Sequence, residues 1–272
     1  MKNDLNYAVE LIRKASGILI TAGAGMSVDS GLPDFLSVGG LWNAYPPLEK
    51  FGLSFAEIAT PKIYLEQPEL AYWFFAHRLK SYRETPAHQG YHILKRWAEQ
   101  MEHGYFVFTS NVDGHFQQAG FDDERIYEVH GSLHRMQCFY NCQDKTWRSD
   151  DFQPEVDIEK CLLLSEKPTC PDCHGMARQN VMMFDDYLYC DKHYEPKLEA
   201  LQKWLKQVER LVVIELGAGK AIPTVRRFSE RTAYPTQVGF IHINKHETKV
   251  TKMHILSLEM KALDALVAID EQ

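Results

Sequence analysis

Cys170 and Cys173 flank Pro171 and Asp172 in a two-residue knuckle, and Cys138 and Cys142 form a second close pair upstream. Thiolates at such spacings converge on a soft tetrahedral ion, and four of them leave no open position. The pattern predicts a structural zinc held by Cys138, Cys142, Cys170 and Cys173. Cys161, His134 and His174 are alternative ligands. A second kind of chemistry gathers in "YEVHGSLHRMQC", residues 127–138. His130 follows an extended-looking run and precedes Gly131, which places its imidazole at a strand end, where it can act as a general base near neutral pH. Asn111 and Asp113 lie in "TSNVDGHFQQAG", just past the apolar run from Tyr105. Ligands of open parallel sheets gather beyond the carboxyl ends of strands, so this pair can hold a sugar or an amide. Helix capping is the plainer use of either residue. The fourth feature is "GAGMSVDSGLPDFL", residues 23–36, behind the apolar "GILIT". Its glycines let backbone approach a phosphate, with the amides of Ala24, Gly25 and Met26 as expected donors. Ser27, Ser30 and Asp34 add a polar cluster; a bare strand-to-helix connection is the alternative.

The elements that must position these groups follow from hydrophobic patterning. Residues 17–21, the run from Tyr105, "RLVVIELGAG" and "QVGFIHIN" read as buried strands. Residues 4–15, 54–83, 88–101, 195–209 and 258–269 read as helices, the second aromatic-rich with Tyr72, Trp73, Phe74 and Phe75 in one run. Strands alternating with helices predict an α/β fold, a parallel sheet with helices on both faces. Residues 136–180 break the pattern: they hold five of the six cysteines, scattered prolines and little periodicity, which predicts a metal-stapled module inserted into the larger domain.

At 272 residues, 45% hydrophobic and 25% charged, the chain suits one large soluble domain with a smaller insertion. The net charge of −7, with no block of lysine or arginine, argues against a direct nucleic-acid partner. No stretch approaches the roughly 20 apolar residues that span a bilayer. The N-terminus also lacks a basic flank followed by an apolar core, so no membrane partner and a cytoplasmic location are expected. In that compartment close cysteine pairs bind metals rather than each other.

Taken in order, these motifs resemble the sirtuin family of NAD-dependent protein deacylases, from about Gly17 to Thr248. "GAGMSVDSGLPDF" is similar to the family's glycine–serine–proline–aspartate–phenylalanine signature, "TSNVDGHFQQAG" to its asparagine–aspartate signature, and "VHG" to its catalytic histidine–glycine pair. "CPDCHGMARQNVMMFDD" resembles the second cysteine pair with the substrate segment, and "INKHET" the adenosine-ribose segment. The resemblance implies a Rossmann-like NAD domain made of residues 1–45, 88–135 and 180–272. A helical insertion, 46–87, and a zinc-binding module, 136–179, would form the small domain. It implies NAD and zinc as cofactors and an acylated or ADP-ribosylatable protein as substrate. His130 and Asn111 become catalytic. Ala22, Gly23, Ala24, Gly25, Ser27, Asp34, Phe35, Ser110, Asn111, Asp113, Gly217, Ala218 and Asn244 become NAD contacts, and Val181, Phe184, Asp185 and Asp186 substrate contacts. In the family, the acyl-lysine oxygen displaces nicotinamide and the histidine then removes a ribose hydroxyl proton. The chain departs from the family at Leu36, where arginine is usual, and at Ser110, where glutamine is. Asp185 and Asp186 replace a glycine–glutamate pair, and "GAGKAIP" replaces a glycine–threonine–serine stretch. Beside deacylation, the scaffold therefore allows protein ADP-ribosyl transfer, NAD hydrolysis, or NAD binding without catalysis.

Overall fold

Short apolar runs closed by glycine or a small polar residue become the strands of one sheet. The computed structural model describes residues 2–33, 35, 40–234, 239–246 and 255–272. The expectations for Asp34 and Leu36, and for the outer ends of "QVGFIHIN" and "INKHET", lie outside the described residues. The chain opens with α1 (Lys2–Lys14), β1 (Gly17–Ala22) and the single-turn α2 (Ala24–Val28). A helical stretch follows, α3 (Gly40–Ala44), α4 (Phe55–Ile58), α5 (Pro61–Glu66), α6 (Pro68–Glu84) and α7 (Gln89–Glu99). Then come β2 (Tyr105–Thr109), α8 (His115–Gln118) and β3 (Ile126–Glu128). The cysteine region carries β4 (Gly131–Cys138), β5 (Thr146–Arg148), β6 (Val156–Asp157), β7 (Leu162–Leu163) and β8 (Ala177–Val181). The last third is α9 (Glu195–Leu205), β9 (Leu211–Leu216), α10 (Thr224–Ala233), β10 (Gly239–Ile243), β11 (Ile255–Leu258) and α11 (Ala262–Asp270).

Six strands form the main sheet in the order β11-β10-β9-β1-β2-β3, every pairing parallel. The chain runs outward from β1 on one side, then returns beside β1 and runs outward on the other. A crevice must open where the direction reverses, between β1 and β9. Alternate side chains serve opposite faces. Ile18, Ile20, Val107, Ile214 and Ile241 pack on α1, α7 and α11 through Leu11, Leu94 and Leu266. Leu19, Phe106, Val213 and Phe240 pack on α9 and α10 through Leu201, Trp204 and Val225. Truncating one such core side chain to alanine costs about 2–5 kcal/mol.

The aromatic segment 54–83 is helical but broken into α4, α5 and α6. Pro61 and Pro68 each start a helix, where the missing amide hydrogen costs nothing, and neither can continue the helix before it. Trp73, Phe74, Phe75 and Leu79 of α6 pack against Leu133, Phe139 and Val181, tying the helical layer to β4 and β8. The region 136–180 holds more strand than its sequence suggests: β4 pairs antiparallel with β5 and β8, and β6 with β7. The stretch assigned to a closing helix from residue 258 first completes β11, whose parallel pairing with β10 outweighs local preference, and α11 starts at Ala262. Among the described residues no helix is long and apolar enough to cross a membrane.

Candidate active site

A cleft of about 730 Å³ opens over the carboxyl ends of the central strands, where the sheet order reverses. One wall is backbone. Gly217 follows β9 at φ +59°, and a Cβ there would come within 2.4 Å of the Gly25 carbonyl carbon and the Met26 nitrogen. A Cβ on Gly25 would sit 2.7 Å from Gly217 Cα. The two loops thus close on each other main chain to main chain, which only glycine permits. The Gly25 amide donates to Gly217 O at 3.0 Å and the Met26 amide to Gly23 O at 3.0 Å. Two of the three amides expected to face a phosphate are therefore used inside the protein. What the glycines supply is a side-chain-free surface that a bulky cofactor can approach.

Above that wall stands a small polar network. Asn111 Nδ2 donates to Gly23 O at 3.1 Å and to Ser27 Oγ at 2.9 Å. Ser27 Oγ donates to Asp113 Oδ2 at 2.5 Å and lies 3.1 Å from the Tyr91 hydroxyl. Asp113 Oδ1 also accepts the His115 amide at 2.9 Å, so the local capping role and the cleft role coexist. His130 sits half-buried on the turn between β3 and β4 and faces the same cleft. Burial pushes its imidazole below the ordinary histidine value, against a smaller upward pull from a backbone hydrogen bond to Ser110. The ring is held neutral and can accept a proton. Ser110, Phe35, Gly217, Ala218 and Asn244 line the cleft too. Ala22 does not: it is wholly buried as the last residue of β1, and its carbonyl accepts from Ser110 N and Thr109 Oγ1.

The far end of the cleft holds a group that no motif marks. Arg78 of α6 is 5% exposed. Its guanidinium lies within 6.0 Å of the ring centres of Phe35, Phe55, Phe74, Phe75 and Tyr82, and Nη2 donates to the Tyr82 hydroxyl at 3.0 Å. Nε has no partner, and no carboxylate pairs with Arg78 among the described residues. The only sequence signal for it is a charged residue within the apolar run "LAYWFFAHRL". Val181 and Phe184 line the cleft as expected. Asp185 and Asp186 do not. Asp185 sits on an exposed turn at φ +54°, and the Asp186 carboxylate is turned inward, wholly buried against Arg178.

Away from the cleft, Cys138, Cys142, Cys170 and Cys173 bring their sulfurs within 4.8 Å of one another. Cys138–Cys173 and Cys142–Cys170 each stand at 3.7 Å. Zinc–sulfur bonds of about 2.3 Å at tetrahedral angles require sulfurs about 3.8 Å apart, so the set fits a tetrahedral metal such as zinc. The alternative ligands are elsewhere: Cys161 is packed in the core of the helical layer, His134 Nε2 bonds Asp113 O at 2.8 Å, and His174 is outside the cluster.

The Sir2 family model matches residues 23–218, and the chain belongs to that family, the sirtuins. It is 30% identical over 252 residues to NAD-dependent protein deacetylase 2 of Caldanaerobacter subterraneus subsp. tengcongensis, covering 91% of this chain and 87% of that one. It is 26% identical over 252 residues to an NAD-dependent protein deacylase of Aquifex aeolicus, covering 92% of each. A Sir2 homologue solved as an NAD complex shares the fold at a TM-score of 0.70 and 20% identity, over 98% of this chain and 93% of that one.

Proposed function

We propose that this chain is an NAD-dependent protein-lysine deacylase that moves the acyl group onto ADP-ribose and releases nicotinamide. The observation that carries the reading is His130, its imidazole pushed down by burial, facing the same cleft as the glycine wall and the Asn111–Ser27–Asp113 network. When bound, NAD supplies a nicotinamide–ribose bond that breaks as the acyl oxygen attacks. Asn111 and Asp113 are suited to orient the ribose and carboxamide end, since Ser27 fixes both side chains. Phe35 covers the centre with an apolar ring and keeps water away. His130 takes a sugar-hydroxyl proton on a ring nitrogen. The lowered position of that imidazole puts the acid limb of the rate profile below the usual histidine range.

Arg78 names the acyl group. A buried guanidinium that meets no carboxylate among the described residues favours a chain that ends in a carboxylate over plain acetyl. The domain arrangement belongs to the same reading: residues 1–45, 88–135 and 180–272 as the NAD domain, with 46–87 and 136–179 as the small one. The parallel pairing of β1 with β2 and β9, and the separate β4–β8 ladder, support it. Four thiols kept for a metal fit a cytoplasmic setting, and the partner is an acylated protein.

The test is to incubate the protein with NAD and lysine peptides carrying acetyl or succinyl groups, with His130→Ala as control. Acyl loss that depends on NAD and disappears in the variant supports the reading. ADP-ribose attached to protein, or nicotinamide release without acyl loss, replaces it with transfer or hydrolysis. Binding without nicotinamide release leaves a sensing module.

A further inference from the structure

Glu215 and His242 interrupt two otherwise apolar strands, "LVVIEL" of β9 and "GFIHI" of β10. The parallel register makes them direct cross-strand neighbours, and both side chains are wholly buried. Arg226, from the first turn of α10, joins them at 7% side-chain exposure. Glu215 Oε1 accepts from Arg226 Nε at 2.6 Å and from His242 Nδ1 at 2.8 Å. Arg226 Nη2 stands 3.3 Å from His242 Nε2. A guanidinium can only donate, so Nε2 meets it as the acceptor and Nδ1 carries the proton given to Glu215.

A buried ion pair bridged by a neutral histidine is a poor source of stability. Taking the charges out of water costs about what their pairing returns, and apolar side chains of similar volume often do as well. Its placement points to another use. Arg226 Nη2 also donates to Ala218 O at 2.9 Å, and Asn244 Nδ2 donates to the same carbonyl at 3.0 Å. Ala218 follows Gly217, whose main chain presses on Gly25 to form the cleft wall. That wall is held from behind by the Gly217 amide, which donates to Ile243 O at 3.0 Å, and at the Ala218 carbonyl, where the angle of the arginine is set by Glu215 and His242.

We infer that Glu215, Arg226 and His242 are positioning residues for NAD: they fix the Gly217–Ala218 loop in the shape that leaves the glycine wall open, and act on cofactor affinity rather than on acyl transfer. The inference rests on the NAD-dependent reading above. In the triple variant Glu215→Leu/Arg226→Met/His242→Phe, apolar side chains fill the same space. Calorimetric NAD binding, thermal melting and amide exchange over residues 216–219 are then compared with the wild type. Melting within a few degrees of wild type, a Kd for NAD raised about tenfold and faster loop exchange are expected. With NAD saturating, kcat should stay within about twofold. Should the triple variant not fold, Arg226→Lys keeps a cation beside Glu215 but removes the fork that reaches Ala218, and the same rise in Kd is expected. Unchanged NAD affinity or loop exchange in a folded variant overturns the inference, as does an equal loss of kcat. A wild-type protein that binds no NAD overturns the functional reading itself, a different result from intact wild-type binding with unaffected variants.

Discussion

Three arginines are buried among the described residues, and the one that lines the cleft is treated differently from the other two. Arg178 meets the Asp186 carboxylate at 2.8 Å with both side chains fully enclosed, and Asp186 also accepts the amides of Leu188 and Met183. Arg226 meets Glu215 at 2.6 Å. Each of these cations is matched by a carboxylate of its own chain, and each pair pins a loop. Among the described residues Arg78 meets ring faces and one hydroxyl but no carboxylate, and a cation over aromatic faces recovers about 2 kcal/mol when desolvated. A guanidinium answered at home is part of the frame. One that meets no carboxylate among the described residues is where the proposed function seats an acyl chain's charge.

The comparison breaks most sharply at Asp186. Asp186→Asn leaves the Arg178 cation enclosed without its counter-charge and should cost about 3–5 kcal/mol, read as a large drop in melting temperature. A variant that melts with the wild type would show that this pair does not hold the turn. Arg78→Met should do the opposite, keeping or raising the melting temperature. It should lower kcat/KM for a succinyl-lysine peptide by about 10–100-fold while sparing acetyl-lysine. Equal losses on both peptides would assign Arg78 to the frame with the other two.

Glu128 sharpens the contrast from the acid side. It is 3% exposed, and burial pushes its carboxyl up to about 8, with Lys197 nearby offsetting part of the rise. Because the folded value lies above the unfolded one, its contribution to stability is full below about 4.5 and is lost as pH rises through about 8. Wild-type melting temperature should therefore fall between pH 6 and 9 by more than that of Glu128→Gln, and parallel curves would refute the assignment. The smallest effect belongs to an exposed pair: removing Glu10 from Lys14 by Glu10→Gln should leave the melting temperature unchanged within the scatter of a melting curve.

The cysteine cluster and the placement of His130 on a strand-end turn could be read in the sequence because their signals are local: a knuckle, a turn, a strand end. The four central strands were legible for the same reason. Four features were not. Which amides of the opening loop face outward depends on Gly217, far along the chain. The inward turn of Asp186 depends on Arg178, which sits in the β8 ladder and meets it only in three dimensions. Arg78 has no motif at all, because its surroundings come from rings on several elements. The edge strand β11 likewise exists only because β10 offers it a ladder.

The contact between Gly25 and Gly217 makes the two positions a single heritable unit. Neither neighbour is a side chain that can swing aside, so descendants of this chain keep both glycines or lose the joint between the loops. In a saturation library the pair should stand as two empty columns far apart in the alignment, with no double substitution that refills them.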